Sequence, residues 1–277
     1  MRRGVVAASR RKRQQTGDSE DRDTSRGRHS AEHSVERRRG QGAAREKNLH
    51  VATLAHGKST RDKRGMTGIK LWGFDGSTYV RTVKMVLAEK GVTDFEQVQL
   101  DVLKGEPKTP EHLARHPFGK VPVLDHAGLR ILETSAITRY LNDVLPGKSL
   151  IPSTPQDRAR MDTIIGLVDS YGYGALLGGV VAYHLFPDFV GGKNEAARTA
   201  GLATGRTLLE YAMKTRGTSA FIAGNEVSLA DLYLAPLAFY VSLTPDKERL
   251  FDVPGFSEWW AKIQALPSFA KTAPKLG

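Results

Sequence analysis

The chain changes character near residue 66. Residues 1–65 carry 18 Lys and Arg against 8 Asp and Glu, while 66–277 hold 23 basic and 22 acidic groups. The first stretch therefore accounts for +10 of the formal +11, and the rest is nearly neutral. Runs such as Arg10–Arg13 and Arg37–Arg39 stand among Gly, Ser, Thr and Gln with almost no large apolar side chains. Such a stretch cannot bury enough surface to offset the entropy of ordering it. Residues 1–65 read as a disordered basic extension outside the fold, or as an upstream start with Met66 as the true initiator. A nucleic-acid-binding tail and an organelle transit peptide are the other readings. The scattered Asp18, Glu20, Asp21 and Asp23 oppose the last of these.

The chain has no cysteine. Disulfides, thiolate metal sites and a catalytic cysteine of its own are excluded. The eight histidines lack ligand spacing, so no metal site is expected. No unbroken apolar run approaches the roughly 18 residues of a membrane span, and no secretory leader is evident. A reducing, cytoplasmic setting is the expectation.

From Gly68 the periodicities become regular. Ile69–Gly73 reads as a strand turning at Asp75–Gly76. From Thr78 a helix begins, with Val80, Val83 and Leu87 on one face and Gly91 as its stop. Phe95–Val102 is a second strand and Thr109–Arg115 a short polar helix. Val121–Leu124 and Leu129–Leu132 read as a hairpin joined through Asp125–Gly128. Ile137, Tyr140, Leu141, Val144 and Leu145 then form a helical stripe ended by Pro146–Gly147. The order βαβαββα predicts a mixed sheet with helices on its faces over 66–147.

Residues 148–155 read as a linker and 156–277 as wholly helical. Met161, Ile164, Ile165 and Val168 share a stripe, and the helix runs on through Tyr171–Tyr183 despite Gly172, Gly174, Gly178 and Gly179. Each glycine costs about 1 kcal/mol relative to Ala in a helix, so the cluster implies a close backbone approach or a bend. Ser228 and Asp231 form a capping box, with Val227 and Leu232 placed as a hydrophobic staple.

Five blocks in order carry a resemblance. Ser77-Thr-Tyr-Val-Arg81 follows the first strand, and His116-Pro-Phe-Gly-Lys-Val-Pro-Val-Leu124 precedes the hairpin. Glu133-Thr-Ser-Ala-Ile137 opens the next helix. Phe221-Ile-Ala-Gly224 with Ser228-Leu-Ala-Asp231, and then Val253-Pro-Gly-Phe-Ser-Glu-Trp259, complete the set. Together, over about 69–272, they resemble the glutathione transferase superfamily, serine-type and phi-like or a related bacterial class. The resemblance implies a thioredoxin-like glutathione-binding domain followed by an all-helical domain, a homodimer, and glutathione as co-substrate without a metal. Two departures are visible: Thr134 stands where Ser is usual, and Lys120 where Gln often precedes Val-Pro.

The resemblance places the catalytic hydroxyl at Ser77, where the first strand turns into the first helix. An N-cap is the other role of that residue. Thr78 and then Tyr79 follow as candidate hydroxyls. Val121 and Pro122, joined by a cis bond in the family, would pair with the cysteinyl part of glutathione; an edge-strand proline is the alternative. Glu133 and Thr134 would take the γ-glutamyl end, and Lys108 and Lys120 the glycine carboxylate. Phe74, Tyr171 and Tyr173 would line the pocket of a hydrophobic electrophile. Conjugation in detoxification is the leading function. Glutathione-dependent peroxidase or dehalogenase activity, or a non-catalytic binding or assembly module, are the alternatives.

Overall fold

The structure, a computed structural model, describes residues 68–275. The expectations for 1–65 lie outside these residues.

Strand β1 (Lys70–Trp72) leads into helix α1 (Thr78–Glu89), then β2 (Glu96–Val98), α2 (Pro110–Leu113), β3 (Val123–His126), β4 (Leu129–Leu132) and α3 (Thr134–Val144). The sheet order is β2-β1-β3-β4, with β1 parallel to β2 and antiparallel to β3, and β3 antiparallel to β4. Leu71 pairs with Leu124 across the centre of the sheet, and both are fully buried. The α1 stripe of Val80, Val83 and Leu87 is likewise buried, together with Ile137 and Leu141 of α3. This is the thioredoxin-like half.

Three local expectations change. β2 is limited to the three residues that pair with β1, because the chain then bends at Asp101, whose Oδ1 accepts from the amides of Leu103 and Lys104 at 3.0 Å. The hairpin turn is narrower than Asp125–Gly128. Asp125 and His126 stay in β3, and the turn is Ala127–Gly128, both at positive φ. Asp125 keeps its place in the strand because Arg130 and Trp72 donate to its carboxylate at 2.7 and 2.9 Å. In α3, Val144 falls outside the buried stripe and is exposed.

The linker is pinned. Asn142 Oδ1 accepts from the Leu150 amide at 2.8 Å, and the Leu150 carbonyl accepts from the Leu229 amide at 3.0 Å. Pro155 already belongs to α4 (Pro155–Leu167), where a proline suits the first helical position behind the N-cap Thr154. A wider π-type segment, Val168–Val181, continues α4 into α5 (Ala182–Leu185). α6 (Glu195–Arg216), α7 (Leu229–Ser242), α8 (Lys247–Phe251), α9 (Phe256–Gln264) and α10 (Pro267–Lys271) complete the helical half.

The expected close backbone approach is present at Gly179, and Gly172 is approached closely by a side chain instead. A Cβ on Gly179 would lie 2.7 Å from the Ala197 carbonyl oxygen, and one on Gly172 would lie 2.5 Å from Leu208 Cδ2. From the α6 side, a Cβ on Gly201 would meet the Ala175 carbonyl at 2.5 Å. Gly174 and Gly178 instead border a shallow groove of about 360 Å³ between the π segment and α6. The helical run Pro155–Leu185 contains an 18-residue stretch apolar enough to cross a membrane, with mean hydropathy 1.4 and 44% of that stretch buried inside the protein, a property shared by core helices of globular proteins. Asp169 and the interspersed glycines break that stretch into short apolar pieces, while its Ile, Leu and Val side chains keep the average high.

The two halves meet along α1. Thr82 Oγ1 donates to the Leu232 carbonyl of α7 at 3.1 Å. The buried Arg81 donates to the Phe269 carbonyl of α10 at 2.9 Å and lies between the Phe239 and Phe269 rings. Burial pushes its guanidinium down to about 10.

Candidate active site

β1, β3 and β4 deliver the candidate residues to one end of the sheet. Trp72 pairs with Val123, and Val123 with Leu132. Extending that register by one residue sets Pro122 beside Gly73, at the turn leading to Ser77, and Glu133 beside Pro122. Val121–Pro122 is a cis peptide. Glu133 adopts φ +67 immediately before α3, so the chain leaves β4 and enters the helix at that end without an intervening loop.

Ser77 is the N-cap of α1. Its Oγ accepts from the Val80 amide at 3.3 Å, and the residue is half-buried. A hydroxyl that accepts in this way still carries its own proton to donate. The two neighbouring hydroxyls differ. Thr78 Oγ1 is buried and has no hydrogen-bond partner among the described residues. The Tyr79 phenol donates to Asp169 Oδ1 at 2.8 Å and its ring stacks on Tyr173 at 4.9 Å. Burial, with the Asp169 carboxylate adding to it, raises the Tyr79 phenol far above its ordinary value.

The turn itself is anchored. Asp75 accepts from Lys84 Nζ at 2.8 Å and from Gln97 Nε2 at 2.9 Å. Burial pushes the Asp75 carboxyl up, but these two hydrogen bonds and the Lys84 charge outweigh it and hold it below the usual range. A Cβ on Gly76 would meet the Phe74 ring at 2.4 Å, so that ring lies directly over Gly76.

Thr134 opens α3 and is buried, whereas Glu133 is exposed. His116 Nε2 stands 3.7 Å from Glu133 Oε1, while its Nδ1 accepts from the Phe118 amide at 3.2 Å. Burial pushes His116 down, against the pull of Glu133. Burial raises the Asp169 carboxyl and Glu133 adds to the rise, while the Tyr79 hydrogen bond opposes it; solvent still reaches the residue. Lys108 Nζ donates to the Phe118 carbonyl at 2.8 Å, and Lys120 is exposed with its carbonyl held by buried His112 at 2.8 Å. The aromatic trio divides. Tyr173 packs on Tyr79 and Phe74 lies over the turn, but Tyr171 lines the groove against α6. Asp169 and the Asp75 anchor carried no sequence signal, since each acts through a partner distant in the chain.

The family model for the glutathione S-transferase N-terminal domain matches residues 67–143, and that for the C-terminal domain matches 175–267. The chain belongs to the glutathione S-transferase family. Glutathione S-transferase F6 of Arabidopsis thaliana is 31% identical over 211 residues, spanning 74% of this chain and 99% of that protein. The crystal structure of glutathione transferase F7 from Populus trichocarpa superposes with a TM-score of 0.67 at 28% identity, covering 74% of this chain and 97% of that one. Maize glutathione S-transferase I, solved with an atrazine glutathione conjugate, superposes with a TM-score of 0.65 at 28% identity over 74% and 96% of the two chains. Among the described residues no group of three or more His, Asp or Glu side chains is gathered as a metal site.

Proposed function

We propose that this transferase binds glutathione at the end of the sheet that carries Ser77, holds the sulfur as thiolate through the Ser77 hydroxyl, and conjugates it to a hydrophobic electrophile. One observation carries the reading: Ser77 caps α1 through its oxygen and keeps its proton, whereas Thr78 is buried and Tyr79 is committed to Asp169.

The energetics are adequate. A thiol with a pKa near 8.5 needs about 2.7 kcal/mol of preferential interaction to fall by two units. A hydrogen bond to a charged partner supplies about 1.5–3 kcal/mol, and a helix N-terminus about 0.3–1 kcal/mol more. The thiolate then forms the carbon–sulfur bond as the leaving group departs with its electron pair, or as an activated double bond takes a proton from water. Bound glutathione supplies proximity to the electrophile.

In this reading Thr134 and the N-terminus of α3 take the γ-glutamyl carboxylate, and Glu133 takes its ammonium. The Val121 backbone beside Pro122 pairs with the cysteinyl part, as the family resemblance suggests. Lys120 takes the glycine carboxylate, joined by Lys108 once its ammonium leaves the Phe118 carbonyl. We assign the electrophile to Phe74 and Tyr173 and leave out Tyr171, which lines the α6 groove. The atrazine conjugate bound by the maize relative supports an apolar second substrate. We also propose a cytoplasmic homodimer with a role in detoxification; light scattering giving a monomer at micromolar concentration would refute the dimer.

The test is a pH titration of thiolate absorbance with the full chain and glutathione. The wild type should show a bound-thiol pKa well below 8.5, and Ser77→Ala should return it toward the free value and slow conjugation about 100-fold at neutral pH. An unchanged pKa in the variant would sink the mechanism.

A further inference from the structure

We infer that Tyr240 is a positioning residue for the thiol-activating turn, and that through it the helical half sets the aim of the Ser77 hydroxyl. The inference rests on the Ser77 reading above. Tyr240 lies on α7, 164 positions along the chain from Gly76, and its phenol donates to the Gly76 carbonyl at 2.7 Å. That carbonyl belongs to the peptide whose nitrogen is Ser77's own, so the bond, together with that amide's bond to the Phe74 carbonyl, fixes the plane from which the Ser77 side chain departs.

The three residues before Ser77 are held in different ways. The Phe74 carbonyl accepts from the Ser77 amide at 3.0 Å, and Asp75 is tied to Lys84 and Gln97. All of those partners belong to the thioredoxin-like half. The bond to Gly76 alone comes from the helical half. It is also rigidly delivered: Tyr240 is 2% exposed, with the Phe186 and Phe239 rings packed edge-on at 6.0 and 5.4 Å. Thr82 ties α1 to the same helix α7 at Leu232, so α1 and its preceding turn share one support. Burial pushes the phenol up to about 12, against the nearby Arg81 and with Asp75 and Tyr173 adding to the rise, so it remains a donor throughout any assay range.

Without the phenol the Gly76–Ser77 peptide is held only through its N–H to the Phe74 carbonyl, so its carbonyl end can tilt and the Ser77 proton is aimed less closely at the sulfur. Misplacement of about 1 Å in a first-rank contact is enough to cost one to two orders of magnitude in rate. Glutathione should still bind, because its carboxylates and ammonium are held by other residues.

The experiment compares wild type, Ser77→Ala, Tyr240→Phe and the double variant, full-length, by thiolate absorbance against pH with glutathione and by conjugation rate. Tyr240→Phe keeps the ring and should raise the bound-thiol pKa by about half to one unit, which is roughly three- to tenfold less thiolate below that pKa. The KM for glutathione should stay within about twofold, and Tyr240→Phe should add little to Ser77→Ala, since the two act through one group. A purely structural tyrosine would lower the melting temperature and leave the thiol pKa alone. A wild-type pKa in Tyr240→Phe, or effects that simply add, would overturn the inference while leaving Ser77 in place. If Ser77→Ala itself leaves the pKa unchanged, the underlying mechanism fails instead. Should Tyr240→Phe not fold, Phe186→Leu retains the hydroxyl but loosens its ring, and carries the same prediction with a smaller shift.

Discussion

Two serines open two helices in this protein, and their hydroxyls are committed differently. Ser77 at α1 is half-buried, and its oxygen makes one long bond of 3.3 Å to the Val80 amide. Ser228 at α7 is 1% exposed, and both its amide and its hydroxyl donate to Asp231 Oδ2, at 2.9 and 2.8 Å. Asp231 is itself fully buried, and its other oxygen accepts from the Ile222 amide at 3.0 Å and the Trp259 indole at 2.9 Å. The same local device, a serine N-cap, is thus closed into a four-bond knot in one half and left with an uncommitted proton in the other. Capping alone does not separate the two caps; the destination of the hydroxyl proton is the difference on which the proposed role of Ser77 rests.

The contrast can be broken most forcefully at its buried centre. Asp231→Ala removes the acceptor for four buried donors and should cost about 3–5 kcal/mol of stability, read as a lower denaturation midpoint in urea. Any protein that still folds should retain the bound-thiol pKa of the wild type. At the other cap, Ser77→Ala should cost no more than about 1 kcal/mol of stability, because one long, half-exposed capping bond is lost. Its large effect should fall on conjugation. The finest test is Ser228→Ala, expected to cost about 1–2 kcal/mol while leaving the rate per folded molecule unchanged. If Ser228→Ala slowed conjugation as much as Ser77→Ala, the distinction between the caps would collapse.

Much of this was readable from the residues. The stripe Met161, Ile164, Ile165 and Val168 needed only helical periodicity and is buried throughout. The cap at Ser77 and the box at Ser228 needed only spacing. What escaped reading was settled by partners far along the chain. Asp125 looks like a turn former until Arg130 and Trp72 claim its carboxylate and keep it in a strand. Tyr171 and Tyr173 look alike in sequence, but in a helix two positions apart are nearly opposite, and the wider π turn keeps them so. Tyr240 sits in an apolar run that reads as plain core, and its hydroxyl finds Gly76 only through the tertiary fold.

The glycine contacts between the π segment and α6 carry a consequence for how this half can vary. Where Gly179 and Gly201 meet, the neighbours are main-chain carbonyls, which cannot swing aside as a side chain can. The spacing of the two helices is therefore set by the thickness of bare backbone, a length that no substitution elsewhere on them can adjust. A single added methyl at that joint acts as a shim between the two helices, and because Gly179, Ala197 and Gly201 also line the groove beside it, the same methyl would reshape that groove.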